Sequence, residues 1–388
     1  MKIAHVITRL IVGGAQENTI LTCRGLVERG HEVILMAGPE TGPEGSLWKK
    51  AEKSGANLIK VEKLARAVRP RSDWAAVRQI RGILEELRPD IVHTHSSKAG
   101  ILAREAARRA RVPIIIHTIH GMSFNRTQST IVRALYRHLE RRAGKVTDAF
   151  ISVADAMTDQ AVAAGIAPRD RFTTIYSGMQ TNLFAADPER RHRVRARWGV
   201  QDDEVVVGTI ARLFDHKGYE EILQALPAVV ERVPRIRFVW VGDGANRGRY
   251  ERQLKQLGLS DRVYLTGLIA PEDVAAQIDG FDMVLHASRW EGLPRAIVQG
   301  LLAGKPAISF DNDGAPEVVI PNETGRLVPM GDIRKMTEAI VELAEDKKKR
   351  ESYGNRGRAL CEERFDWRYM VRAIESLYVS LTGRGAGE

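Results

Sequence analysis

The stretch Ser288-Arg289-Trp290-Glu291-Gly292-Leu293-Pro294 is the most informative part of the chain, because it joins a short apolar run to the start of a helix. The apolar run at residues 283–286 predicts a buried strand. Pro294 suits a first helical turn, since its φ is fixed and it has no amide hydrogen. A helix that begins there directs unpaired amides and a positive dipole end beyond the edge of the sheet. This junction therefore predicts a site for phosphate and sugar groups.

Short β-branched runs alternate with helical patterns on both sides of this junction and through the rest of the chain. The predicted strands are residues 3–8, 32–36, 91–94, 113–118 and 149–153 in the first half, and 205–210, 237–241, 263–265, 283–286 and 307–309 in the second. Strands that alternate with helices indicate parallel sheets covered on both faces. The fold class is therefore α/β, with two Rossmann-like domains.

A polar, proline-broken segment at residues 187–192 separates the two series of elements. It places the first domain at residues 1–185 and the second at 186–365. Residues 366–388 follow as a helix and tail, because apolar side chains recur there at helical spacing, at Met370, Ile374, Leu377 and Leu381.

The composition is that of a folded protein whose ligands are anionic. The chain of 388 residues has a net charge of +10, from 59 Lys and Arg against 49 Asp and Glu. Cys23 and Cys361 are its two cysteines, which favours a reducing compartment and hence the cytoplasm. No window approaches the roughly 18 apolar residues of a membrane span. Nucleic acid is not expected as a partner, because no zinc-finger spacing or aromatic ribonucleoprotein motif accompanies the charge.

Two glycines, Gly13 and Gly14, follow the first predicted strand. They indicate either a tight turn or a place where the backbone approaches a ligand closely. The G-x-G-x-x-G dinucleotide fingerprint is absent at this position, which argues against an NAD-dependent enzyme.

Histidines cluster at the ends of two strands in the first half. His93 and His95 end one strand, and His117 and His120 end the next, so that 4 of the 10 histidines lie where open α/β sheets bind ligands. We interpret these clusters as part of a functional site. A metal site is disfavoured, because no cysteine lies nearby and no H-E-x-x-H helix is present.

Cations and a carboxylate occupy the strand ends of the second half. Arg212 and Lys217 share one loop after a strand, an arrangement that suits a diphosphate. Glu291 caps helix amides or accepts hydroxyl hydrogens from a sugar. Gln299 lies one to two turns into the following helix and can reach the same ligand.

Taken together, these motifs resemble the retaining glycosyltransferases of the GT-B fold, in the glycogen-synthase-like family four. The resemblance covers nearly the whole chain, in the order Gly13-Gly14-Ala15-Gln16, Thr118-Ile119-His120-Gly121, Ala211-Arg212-Leu213 with Lys217-Gly218, residues 288–299, residues 303–306, residues 314–318 and residues 324–329. It implies two domains that face a central cleft, with the C-terminal helix crossing back to the first domain.

The resemblance also implies a role for each matching residue. Arg212 and Lys217 neutralise the donor diphosphate, with backbone amides near Gly292 and Leu293. Gly13 and Gly14 approach the phosphate and sugar. His120 contacts the transferred sugar, and Glu291 binds its hydroxyls. Gln299 stands where the family normally has a glutamate for the nucleotide ribose, and residues 176–180 lack the family's usual Asn and Asp.

The expected reaction transfers a sugar, most often from a UDP-sugar and sometimes from a GDP-sugar, to a hydroxyl of a glycan or lipid-linked acceptor. The setting implied is synthesis of cell-surface polysaccharide, lipopolysaccharide or glycolipid. No metal or other cofactor is expected, because Arg212, Lys217 and a helix N-terminus stabilise the leaving diphosphate. The alternatives are a GT-B epimerase or phosphorylase, and a non-catalytic protein that binds sugar nucleotides.

Two groups of basic residues in the first half could lie against an anionic membrane surface. The first comprises Arg133, Arg137, Arg141, Arg142 and Lys145, and the second Arg104, Arg108, Arg109 and Arg111. A solvated helix face is the more common reason for such runs of arginine, and membrane contact is expected here if the acceptor is lipid-linked. The expected location is the cytoplasm, either free or peripheral at the inner face of the membrane.

Overall fold

The chain divides into two units, seen in a computed structural model that describes residues 1–40, 45–125 and 128–383. The first unit comprises Met1–Met179 with Trp367–Glu388, and the second comprises Gln180–Asp366. The division falls at 179/180, whereas the sequence placed it at 185/186. Residues 180–186 go with the second unit because the Thr181 hydroxyl donates to Asp366 at 3.2 Å. The short turn Thr181–Phe184 also packs on a helix of that unit.

A seven-stranded parallel sheet forms the centre of the first unit, in the order β3-β2-β1-β4-β5-β6-β7. Its strands are β1 Lys2–Arg9, β2 Glu32–Gly38, β3 Asn57–Lys60, β4 Ile91–His95, β5 Ile114–Ile119, β6 Ala149–Ser152 and β7 Phe172–Thr174. Side chains on successive positions of β1 enter two separate apolar clusters. Ile3 and Ile7 belong to one cluster, and Ala4 and Val6 to the other. The sheet is therefore buried on both faces, as its continuous apolar runs predict.

Helices cover both faces of this sheet. They are α1 Gly14–Glu28, α2 Trp48–Glu52, α3 Pro70–Leu87, α4 Ser97–Arg109, α5 Thr130–Gly144 and α6 Asp155–Ala163. Helix α5 exposes several apolar side chains on its first turns, Ile131, Val132 and Leu135.

The second unit repeats this plan with a six-stranded parallel sheet, in the order β10-β9-β8-β11-β12-β13. Its strands are β8 Val205–Ile210, β9 Ile236–Val241, β10 Val263–Gly267, β11 Met283–His286, β12 Ala307–Phe310 and β13 Gly325–Val328. Its helices are α7 Pro188–Trp198, α8 Tyr219–Arg232, α9 Arg247–Gln256, α10 Val274–Asp279, α11 Arg295–Leu302, α12 Ile333–Glu345 and α13 Lys347–Arg364. The predicted α/β class with two Rossmann-like halves is confirmed.

The last helix, α14 Trp367–Thr382, packs in the first unit. Trp367, Met370, Ile374 and Tyr378 are buried in the same cluster as Ile3 of β1. The apolar spacing in the sequence predicted this helix. The glycine-rich tail at residues 384–388 lies outside the described residues.

Candidate active site

The predicted site residues of the second unit lie on two neighbouring connections. The sheet order reverses between β8 and β11, which pair directly. Connections leave adjacent strands in opposite directions at such a point, and open a crevice at the carboxyl edge of the sheet. Arg212 and Lys217 follow β8, and Glu291 follows β11. Residues far apart in sequence therefore meet at one edge.

A glycine allows these two connections to approach closely. Gly218, the residue before α8, has a φ of 82°. A Cβ atom there would lie 2.0 Å from the carbonyl oxygen of Ala287, which follows β11. Any other residue would force the two loops apart, since both the backbone conformation and the space require glycine.

Lys217 and Glu291 form an ion pair across these loops. The Lys217 ammonium also lies 3.5 Å from the Ser288 hydroxyl. Both members of the pair are partly buried. Arg212 is more exposed, and its guanidinium carbon lies 5.1 Å from the centre of the Phe214 ring.

The surroundings of Glu291 keep its side chain ionised. Burial raises the pKa of this carboxyl, but the Lys217 ammonium and the neighbouring His286 ring outweigh burial and hold the pKa well below its usual value. The Glu291 backbone amide donates to Asp313 at 2.8 Å, and the amide of Gly314 donates to the Gly292 carbonyl at 3.1 Å. The loop after β12 therefore fixes the position of the loop after β11.

Unpaired donors follow Glu291. Within the described part of the chain, no hydrogen bond is formed by the backbone amides of Gly292 and Leu293, which are both buried. They precede α11, whose first turn adds further amides and a positive dipole end. Gln299, on the second turn of α11, is half-buried. The arrangement can bind a phosphate through neutral donors and a cation together.

In the first unit, the corresponding reversal lies between β1 and β4. Gly13 and Gly14 open α1 just after β1, and His120 follows β5. Gly13 has an extended φ of 173°, and a Cβ atom there would meet the flexible end of Gln16 at 2.7 Å. Neither the backbone conformation nor internal packing requires glycine at position 13. This favours the interpretation that the missing side chain leaves space for a ligand.

A chain of buried histidines lies beneath His120. His5 Nδ1 and His95 Nε2 are 3.0 Å apart, and His95 Nδ1 and His120 Nε2 are 3.1 Å apart. His93 bonds to Tyr378 and to Thr118, and His117 bonds to Thr94. Burial lowers the pKa of His5 to about 3, and it lowers the pKa values of His93, His95 and His117 well below 6.5. These four rings are neutral at neutral pH.

The structure refines the prediction for the histidine clusters. His93, His95 and His117 are buried, whereas His120 is half-exposed. Only His120 of the four can touch a ligand at the surface, and His95 contacts it from within. Sequence reasoning missed His5, because its place opposite His93 depends on the pairing of β1 with β4, which the sequence does not state.

The ring nitrogens of His5, His93 and His95 lie within 4.8 Å of one another, a spacing that could hold a metal ion. Their nitrogens are already engaged with protein partners, except for His5 Nε2. An ion would have to displace several of these bonds. The arrangement is better described as a hydrogen-bond network.

Comparison with known proteins agrees with this geometry. The family described as "Glycosyl transferases group 1" matches residues 190–360, and "Glycosyl transferase 4-like domain" matches residues 13–178. EpsD of Bacillus subtilis, named as a glycosyltransferase, is 30% identical over 274 residues, covering 69% of this chain and 71% of EpsD. The chain belongs to the group 1 glycosyltransferases.

Two further relatives of this glycosyltransferase match most of its length. A UDP-Gal:α-D-GlcNAc-diphosphoundecaprenol α-1,3-galactosyltransferase of Escherichia coli is 28% identical over 351 residues, 89% of each chain. A GDP-mannose-dependent α-(1-6)-phosphatidylinositol monomannoside mannosyltransferase of Mycolicibacterium smegmatis is 26% identical over 367 residues, covering 93% of this chain and 92% of the relative.

Solved structures show the same fold. Anabaena HepE in complex with UDP and glucose superposes with a TM-score of 0.85 at 22% identity, covering 98% of this chain and 100% of HepE. Sucrose-phosphate synthase of Thermosynechococcus elongatus gives a TM-score of 0.84 at 19% identity, covering 99% and 100%. The glycosyltransferase therefore has the GT-B fold, as the motif order predicted.

The first unit of the glycosyltransferase also contains a cavity of about 380 Å³ that the sequence did not reveal. Three cationic side chains and one carboxylate line it, Arg9, Arg66, Lys98 and Asp73. Lys98 pairs with Asp73 at 2.6 Å. These residues come from four separate segments, so that only the fold brings them together.

The prediction of a second basic surface group is wrong at Arg104. This side chain is fully buried and pairs with Glu140 of α5 at 2.6 Å. Arg108 and Arg109 pair with Glu105 on their own helix. The buried Arg104 cannot contact lipid headgroups, and Glu105 offsets part of the charge of the two exposed arginines. The first group on α5 stays a candidate, although Arg141 donates to the Ala164 carbonyl at 2.6 Å.

In residues 1–40, 45–125 and 128–383, no helix combines the length and apolar character needed to cross a membrane.

Proposed function

We propose that this glycosyltransferase moves a sugar from a nucleoside diphosphate sugar to a hydroxyl of a phosphate-bearing, lipid-linked acceptor, with retention of the anomeric configuration and without a metal ion. The observation that carries the proposal is the Lys217–Glu291 pair beside the unpaired amides of Gly292 and Leu293. It places a cation, neutral donors and a carboxylate acceptor within one loop pair, which matches the parts of a sugar diphosphate.

The diphosphate binds the second unit through Lys217, Arg212 and the amides that precede α11. A cation and fixed dipoles stabilise the negative charge that develops as the bond between the sugar and the phosphate breaks. This electrostatic help replaces a metal ion. Glu291, kept ionised by its surroundings, accepts hydrogen bonds from sugar hydroxyls once the diphosphate competes for Lys217.

The remaining donor contacts follow the family pattern. His120 touches the transferred sugar, Gly13 and Gly14 leave space for the phosphate and sugar, and Gln299 binds the ribose. Both uridine and guanosine donors occur among the relatives' names. We favour a UDP-sugar, since UDP is named with HepE, whose fold superposes over nearly the whole chain.

The step itself occurs on one face of the sugar. The bond from C1 to the diphosphate oxygen breaks, and the acceptor oxygen forms its bond to C1 from the same face. The departing phosphate oxygen takes the proton of the acceptor hydroxyl. This route does not need the pair of catalytic carboxylates that glycoside hydrolases use.

The cavity in the first unit supports an anionic acceptor. Arg9, Arg66 and Lys98 outnumber its one carboxylate, Asp73, so that a phosphate is favoured there. Two relatives are named for diphosphoundecaprenol and phosphatidylinositol acceptors. We therefore place the reaction at the cytoplasmic face of a membrane, in the synthesis of a surface polysaccharide or glycolipid.

Helix α5 offers the contact with that membrane. Ile131, Val132 and Leu135 are 83%, 39% and 54% exposed on its first turns, and exposed cations follow at Arg137 and Arg142. Apolar side chains beside cations suit an interface with anionic headgroups.

The test is a screen of UDP- and GDP-sugars with lipid-diphosphate and lipid-phosphate acceptors, with and without a chelator. Release of nucleoside diphosphate that requires an acceptor, together with a product of the expected mass, supports transfer. The anomeric coupling constant of the product distinguishes retention from inversion. Donor epimerisation, phosphorolysis, or binding without turnover would refute the proposal, and loss of activity with chelator would refute its metal-independent form.

A further inference from the structure

The three histidines His5, His95 and His120 form one continuous line of hydrogen bonds from the core to the site. The two nitrogen–nitrogen distances in this line are 3.0 and 3.1 Å. His5 and His95 are 0% and 1% exposed. A line of this kind, unlike an isolated histidine, restricts where each ring carries its hydrogen.

A neutral imidazole has one N–H and one acceptor nitrogen. The middle ring of two successive bonds must therefore donate in one bond and accept in the other. All the N–H groups in the line then point in the same direction. In the outward direction His5 Nδ1–H donates to His95 Nε2, and His95 Nδ1–H donates to His120 Nε2. In the inward direction His120 donates to His95, which donates to His5.

The buried end of the line distinguishes the two directions. His5 Nε2 is buried and has no hydrogen-bond partner among the described residues. The inward direction would put a hydrogen on this atom and leave a buried N–H without an acceptor, which native proteins rarely tolerate. The outward direction leaves only an acceptor nitrogen there. Burial keeps the pKa values of His5 and His95 low, so that neither ring gains a second hydrogen at neutral pH.

We propose that His95, held by His5, is a positioning residue that fixes His120 in the tautomer with its hydrogen on Nδ1. His120 then acts toward the sugar as a donor through Nδ1 and as an acceptor from His95 through Nε2. A ring that is free to exchange tautomers would present the wrong nitrogen part of the time. The consequence for catalysis rests on the proposed sugar contact of His120, whereas the tautomer itself does not.

The direct test is nitrogen-15 NMR of histidine-labelled protein, with the His120 signals assigned by their loss in His120→Ala. In the unchanged protein without ligand, His120 should carry its hydrogen on Nδ1. In His95→Leu, which removes the donor, His120 should shift to Nε2–H or to a mixture. In His95→Gln, whose amide can donate to His120 and accept from His5, the Nδ1–H form should be retained.

His117→Leu is the matched control. His117 is also buried, lies on the neighbouring strand and bonds to Thr94 rather than to the line of three. It should lose a comparable amount of stability while His120 keeps its tautomer. A structural role for His95 alone would predict the same result for both leucine variants.

Turnover gives the second readout. His95→Leu should lower kcat about 10- to 100-fold, by analogy with loss of the hydrogen bond that orients a metal-ligating histidine, with a much smaller change in donor KM. His95→Gln should recover most of this loss. An Nε2–H tautomer in the unchanged protein, or an unchanged tautomer in His95→Leu, would overturn the proposal. If the tautomers behave as expected but no sugar transfer is found, the proposed function fails and the positioning line stands.

Discussion

The Lys217 ammonium is ion-paired with the Glu291 carboxylate across the loops that follow β8 and β11. Each residue is assigned to a different part of the same donor, Lys217 to the diphosphate and Glu291 to the sugar. In the absence of donor the two satisfy each other, which avoids leaving either charge partly buried without a partner. In the proposed function, donor binding would exchange this pair for two ligand contacts, and the pair would hold both groups in place before substrate arrives.

Replacement of Lys217 by Ala should abolish transfer while the fold is retained. The developing diphosphate charge would lose one of the two cations proposed to stabilise it, and removal of one stabilising donor of this kind costs about 10²- to 10³-fold in kcat. The measurement is release of nucleoside diphosphate, with circular dichroism to check folding. Lys349→Ala is the control, because Lys349 also pairs with a glutamate, Glu342, but on the surface of α12 and α13. Near-normal turnover of Lys217→Ala would remove its assigned role.

The low pKa of Glu291 predicts a pH-dependent contribution to stability. A carboxyl whose pKa is lowered by folding stabilises the folded state above its unfolded pKa of about 4.5, and this contribution disappears as the pH falls through the folded pKa. The free energy of unfolding of the unchanged protein should exceed that of Glu291→Gln by a constant amount above about pH 5.5 and by a decreasing amount in more acid solution. Denaturant titrations at several pH values measure this difference. A difference that grows on acidification would contradict the assignment.

Gly218→Ala should destabilise the second unit and weaken donor binding. Its Cβ atom would lie 2.0 Å from the Ala287 carbonyl, and the displaced loop carries Lys217. Gly199→Ala is a matched control, because Gly199 has a similar φ of 68° with no atom within 4 Å of the added Cβ. Both variants incur the conformational cost of about 1 kcal/mol, and Gly218→Ala should lose a further 1–3 kcal/mol or so from the clash. Equal losses in thermal and denaturant unfolding would show that the close approach of the loops is unimportant.

Most of the fold could be predicted from sequence, because the central strands are buried on both faces and read as continuous apolar runs. The strands β3, β7 and β13 were missed. All three lie at sheet edges, and their short segments include exposed or half-buried positions that weaken the apolar signal. Edge strands of this kind differ little from loops in sequence alone.

Part of the candidate site could likewise be predicted from the sequence, and part could not. The place of Arg212, Lys217 and Glu291 on loops after strands could be predicted, because apolar runs followed by charged residues are recognisable in sequence. The pairing of Lys217 with Glu291 and the line from His5 to His120 depend on strand order, which the sequence does not state. Arg104 shows the opposite error, since a helical arginine looks exposed until Glu140 is brought against it from another helix.

Gln299 provides a test of ribose binding. Gln299→Glu restores the carboxylate that the family normally has, and a charged acceptor forms stronger hydrogen bonds to hydroxyls than an amide does. Donor KM should fall by up to about tenfold, since an increment of about 1.4 kcal/mol corresponds to that factor. Gln299→Ala should instead raise donor KM. Competition by free nucleoside diphosphate measures the same trend without turnover. If both variants bind donor as the unchanged protein does, Gln299 makes no contact with the ribose.

Helix α5 should attach the protein to anionic membranes through its exposed apolar turn. The double variant Ile131→Ser with Leu135→Ser removes two apolar side chains that are 83% and 54% exposed, so that folding should be unaffected. The control is Leu257→Ser with Leu268→Ser, which changes two side chains of the second unit that are 44% and 61% exposed.

In flotation with vesicles that contain anionic lipid, the unchanged protein and the control should rise with the vesicles, and the α5 variant should stay at the bottom. With neutral vesicles the unchanged protein and both variants should remain at the bottom. The cations of α5 act through attraction to anionic headgroups, which contributes about 1 kcal/mol for each Lys or Arg at the surface. High salt should release the protein for the same reason. Equal flotation of the α5 variant and the control would exclude this helix as the attachment surface and would favour a merely solvated face.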